Sequence, residues 1–161
     1  MVKKFKVVIS GDVFINKRAF EKVQETIKKF REVKEVEFEI LSPKEFTYKE
    51  KARYLSLNLA ERLAVFEHYT TKDLKNLEDQ RLKAIAETDV FYVLGLGKLI
   101  SMEVGYARAL GKDTFHSESV SKIVVADILG KDDLVSSYCG KEATPSEIAV
   151  ILLNNSQKNK S

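Results

Sequence analysis

The sequence predicts an α/β fold, a doubly wound and mainly parallel sheet of five strands with helices on both faces. Three observations predict it. Short runs rich in Val and Ile alternate with helical patterns almost throughout, as βαβ units require. The runs Phe5–Ser10 and Asp89–Leu94 are nearly continuously apolar, the signature of strands covered on both faces. Right-handed crossovers then restrict the topology to a sheet wound in both directions from its middle.

The elements follow in order. Phe5–Ser10 is the first strand, and Gly11-Asp12 ends it. Asn16 is placed to cap a helix over Lys17–Arg31, whose Phe20, Val23, Ile27 and Phe30 recur at helical spacing. Val36–Leu41 alternates apolar residues with Glu and reads as a half-exposed strand near a sheet edge. Leu55, Leu59, Leu63 and Phe66 mark a long helix over Lys49–Tyr69, and a second helix starts at Thr70 or Thr71. Asp89–Leu94 is the clearest strand. A Gly-containing loop leads from it to a helix over Ile100–Leu110, stopped by Gly111. Asp113–His116 is a short strand, Val120–Leu129 a weakly patterned helix and Leu134–Tyr138 a last strand. Thr144-Pro-Ser-Glu147 is a capping box with Pro at the first helical position, opening a helix through Leu153. The polar tail after Asn154 is expected to fray.

Composition narrows the function. The 161 residues make one domain, 1–155, followed by the tail 156–161. Lys and Arg number 27 against 24 Asp and Glu, a net +3, too little for a chain whose task is to coat a nucleic-acid polymer. The lone Cys139 excludes an intrachain disulfide, and one Cys with two distant His argues against a zinc site. No stretch has the length of a membrane span, and the first apolar run meets Gly11 too early for a signal-peptide core, so a cytoplasmic location without membrane partners is expected.

Doubly wound sheets bind ligands beyond the carboxyl ends of the strands, where strand order reverses. The loops after the first and third strands flank that point: Gly11-Asp12-Val13-Phe14, and Gly95 to Glu103. Gly95 and Gly97 give the second loop's backbone freedom to approach a ligand, and Gly11 borders the same expected pocket from the first loop. Asp12 suits a sugar hydroxyl or its own turn, and Lys98 a phosphate or solvent. Ser101 is read as the cap of the following helix, which sets Glu103 in its first turn, where the N–H groups favour a carboxylate. His116 ends the fourth strand and is a weaker pocket candidate. Gly105 within the helix suggests close packing on the sheet. The Gly97-Lys98 pair lacks the remaining P-loop residues, and Gly95-Leu-Gly97 lacks the third dinucleotide glycine.

Ala86-Glu-Thr-Asp89-Val-Phe-Tyr-Val, a Gly-containing loop, and Ser-Met-Glu103-Val-Gly-Tyr-Ala-Arg-Ala-Leu-Gly-Lys112 together resemble the nucleoside 2-deoxyribosyltransferase-like superfamily. That group includes nucleoside deoxyribosyltransferases and 2′-deoxynucleoside 5′-monophosphate N-glycosidases. The resemblance covers about residues 82–116 closely. It implies a flavodoxin-like or Rossmann-like fold, cleavage or transfer of an N-glycosidic bond, no cofactor, a nucleoside or nucleotide substrate and a homodimer or larger assembly. It also implies that Glu103 attacks the anomeric carbon. Active members carry an Asp on the preceding helix; near Arg81 the neighbouring acids are Glu78 and Asp79, and Asp79 is the candidate acid or base. The alternative is a nucleotide-binding or regulatory module on the same fold without turnover.

Overall fold

The computed structural model describes residues 1–11, 17–41, 58, 60–61, 71–95, 98–118, 120 and 139–159, with backbone alone for 17–20, 71–78, 98 and 99. Its elements are β1 (Lys3–Ser10), α1 (Lys17–Glu32), β2 (Val36–Ile40), α2 (Thr71–Glu87), β3 (Val90–Val93), α3 (Lys98–Ala109), β4 (Asp113–His116), β5 (Lys141–Glu142) and α4 (Pro145–Lys158). The strands form one sheet in the order β2-β1-β3-β4-β5, every pair parallel. This is the flavodoxin-like order, and its reversal point lies between β1 and β3.

The period of two along β3 divides the core. Val90 and Tyr92 join Val7, Val23, Ile27, Phe30, Ile148 and Leu152 under α1 and α4. Phe91 and Val93 join Ile85, Ile100, Val104 and Ala107 under α2 and α3. All four β3 side chains are therefore buried, as the central strand of a two-faced parallel sheet requires. Phe30 meets Phe38 and Tyr92 edge-on, with ring centroids 5.0 and 5.2 Å apart. The Tyr92 hydroxyl donates to the Ala143 carbonyl at 2.9 Å and ties β3 to the entrance of α4. Asp89 holds the other end of the sheet by accepting the Lys6 backbone N–H at 2.7 Å.

Several boundaries differ from the sequence reading. β1 begins at Lys3, because backbone pairing of Lys3 and Lys4 with Val36 and Glu37 recruits polar residues; Lys4 also pairs with Glu37 at 3.2 Å. Asn58 is non-helical while Ala60 and Glu61 are helical, and Asn58 and Glu61 exchange backbone-to-side-chain hydrogen bonds of 2.8 and 2.9 Å. That reciprocal pair starts a helix, so the one expected from Lys49 does not run unbroken through residue 58. A last strand forms at Lys141–Glu142, against Phe115 and His116. Gly140 precedes it with φ +75° and with the Thr114 carbonyl where a Cβ would stand. The expected strand at Leu134–Tyr138, the helix beyond Val120 and the Asn16 cap lie outside the described residues. α4 keeps its expected capping box but continues to Lys158, past the Asn154 at which the tail was placed.

Candidate functional site

The carboxyl ends of the strands align. Ser10 pairs with Val93, Val93 with His116, and His116 with Glu142. Aligned residues of a parallel sheet share a face, so the Ser10 side chain looks toward α2 and α3 with Val93. α3 returns from the end of β3 and carries Glu103 back over this edge.

Glu103 is 1% exposed. Its carboxylate is gripped from two elements. Ser10 Oγ donates to Oε2 at 2.7 Å. Arg81, on α2, donates from Nη2 to Oε2 at 2.8 Å and from Nε to Oε1. The pair is a two-pronged guanidinium–carboxylate ion pair with side-chain exposures of 16% for Arg81 and 1% for Glu103. β1, α2 and α3 therefore converge on one buried anion at the reversal point of the sheet.

This geometry revises the electrostatic expectation. α3 begins at Lys98, so Ser101 lies inside the helix and does not cap it, and Glu103 sits in the second turn. The helix N-terminus is not the feature that holds its charge; Arg81 and Ser10 are. Removing the carboxylate would leave the largely buried Arg81 guanidinium without its partner.

The remaining candidates separate. Asp79 is exposed and lies two residues before Arg81 on α2, about 200° round the helix, so it does not share Arg81's direction toward Glu103. Gly11 is buried, and a Cβ there would stand 3.1 Å from Val23 Cγ2; the glycine admits α1 against the end of β1. His116 is 1% exposed, with Nδ1 2.9 Å from the Gly140 carbonyl. It stands two strands from Ser10, roughly 10 Å away at the usual strand spacing, and it fastens β5. Lys98 is the first residue of α3, with its side chain undescribed. Asp12 and Gly97 lie outside the described residues. Gly105 is exposed, and nothing stands within 4 Å of where its Cβ would be, so close packing is not the reason for it. Cys139 is buried, and burial pushes its thiol up against the opposing charge of Arg108, which suits an inert core thiol.

Two residues of the site, Ser10 and Arg81, escaped the sequence reading as participants. Ser10 is the single hydroxyl closing an apolar strand, and Arg81 stands where the reading looks for an acid. Among the described residues no cluster of His, Cys, Asp and Glu could hold a metal. A cavity of about 400 Å³ opens on the opposite side of the sheet, under α1 and α4, between Thr26, Tyr92, Leu94, Glu142 and Glu147. The sheet separates it from Glu103. No helix of the described chain is long and apolar enough to cross a membrane. Neither a protein-family model nor a curated protein sequence matches the chain.

Proposed function

We propose that this chain cleaves or transfers the N-glycosidic bond of a nucleoside or its 5′-monophosphate, with Glu103 as the nucleophile. The observation that carries the reading is the Glu103 carboxylate held at the β1/β3 reversal point by Ser10 and Arg81. Ligands of doubly wound sheets bind at that edge. A carboxylate is the nucleophile suited to an oxocarbenium-like transition state, and an oriented one starts closer to attack geometry. The resemblance of residues 82–116 to the nucleoside 2-deoxyribosyltransferase-like superfamily supports the same assignment.

The experiment is base release from a panel of nucleosides, deoxynucleosides and their 5′-monophosphates, followed by chromatography, for wild type and Glu103→Gln. Release by wild type and its loss in Glu103→Gln is the expected result. A second acceptor base added to the same reactions separates transferase from hydrolase. The burial of Glu103 favours one other reading, a module that binds such ligands without turnover, since a carboxylate 1% exposed offers little open face to a sugar. Saturable ligand binding with no base released by wild type is the result that selects it.

A further inference from the structure

The hydrogen bonds on Glu103 divide its two oxygens unequally. A carboxylate has about four lone-pair sites, two on each oxygen. Oε2 accepts from both Arg81 Nη2 and Ser10 Oγ, which fills its pair. Oε1 accepts from Arg81 Nε alone and keeps one site open among the described residues.

We propose that Arg81 is a positioning residue that, with Ser10, anchors Oε2 and leaves Oε1 as the attacking atom. This inference rests on the glycosidic reading above. In the first step an Oε1 lone pair forms a bond to the anomeric carbon. The carbon–nitrogen bond breaks with its electrons passing to the base, which takes up a proton from solvent. In the second step water, or a second base, attacks the same carbon. The carbon–Oε1 bond breaks, its electrons restore the carboxylate, and the proton of the attacking group is released.

Arg81 acts differently in the two steps. It faces an anion in the free enzyme and a neutral ester in the intermediate, so it opposes ester formation and favours ester breakdown. The guanidinium is already in place when the carboxylate returns as leaving group, and preorganised donors of this kind carry large rate effects. Arg81 is thus assigned to the departure of the sugar more than to its capture.

The test compares wild type, Arg81→Gln and Arg81→Lys in rapid-mixing base-release assays, with intact-protein mass spectrometry of quenched samples and a thermal melt of each variant. For Arg81→Gln the expected result is a steady-state kcat lower by about 10²–10³, the usual cost of one preorganised donor, with a burst of base near one equivalent and a sugar adduct on the protein. Arg81→Lys, which keeps the charge without the two-pronged grip, is expected to fall between and to keep the fold if the Gln variant does not. A structural role alone predicts lower melting temperature with neither burst nor adduct, and that result in the folded Lys variant overturns the proposal. Unchanged kcat in either variant also overturns it while leaving the glycosidic reading standing. Absence of base release from wild type overturns the reading itself.

Discussion

Truncation of Glu103 tests the ion pair directly. Glu103→Ala removes both acceptors of Arg81 and the acceptor of Ser10 Oγ, at a position 1% exposed. Breaking a buried pair from one side costs about 3–5 kcal/mol, chiefly because the remaining charge stays desolvated. The Arg81 side chain retains 16% exposure, and water can reach part of it, so the lower end, about 3 kcal/mol, applies. For a chain of this length each kcal/mol moves the melting temperature by about 2–4 °C, giving a fall of about 6–12 °C. Glu103→Gln keeps the volume and one acceptor and loses one charge-assisted bond, worth about 1.5–3 kcal/mol. Replacing both partners, Arg81→Met with Glu103→Leu, removes the stranded charge and recovers most of the loss. Calorimetric melts of Arg81→Met, Glu103→Leu and the double variant form a coupling cycle. A Glu103→Ala protein that melts within 2 °C of wild type, or a cycle with strictly additive losses, would refute the argument.

Other substitutions probe the frame around the site. Gly140→Ala forces a side chain into a left-handed conformation and against the Thr114 carbonyl, so a loss above about 2 kcal/mol is expected in denaturant melts, with β5 undocked. Gly105→Ala meets open space in an exposed helical position and should raise stability by up to about 1 kcal/mol; a lower melting temperature contradicts that. Burial, then the nearby Glu142 and Glu147 charges, push the Tyr92 phenol up to about 12 from the usual 10. Its contribution is therefore complete below pH 10 and lost as pH rises toward 12, and stability-versus-pH curves should fall less steeply there in Tyr92→Phe. Thr144→Ala breaks the capping box of α4 and should cost about 1 kcal/mol by the same melts.

Much of the architecture was legible because it is encoded locally. The alternation of short apolar runs with helical stripes depends on side chains a few residues apart, and it was enough to predict a parallel sheet. The capping box at Thr144 and Glu147 needs only four consecutive residues, and both of its bonds form. The edge strand at Val36 declared itself through alternating Glu residues. Glu103 was singled out because it lies in the helix after the central strand, within the stretch that resembles the superfamily. Its environment was misread because a helix start was inferred from Ser101, whereas α3 already begins at Lys98.

The sequence alone therefore determined the fold class, locally patterned elements such as β3 and α1, and a carboxylate in the helix that follows the central strand. Tertiary structure decided what that carboxylate touches. Ser10 is 93 residues away and Arg81 is 22, and no local pattern links a serine at a strand end or an arginine on a helix to a particular glutamate. The same holds for β5, whose Lys141 and Glu142 carry no strand pattern and are both exposed. They pair because backbone groups, not side chains, make the ladder, and because Gly140 has no Cβ to strike the neighbouring strand. Burial turns these distant meetings into energies: only when helix and sheet close over Glu103 does its charge require Arg81.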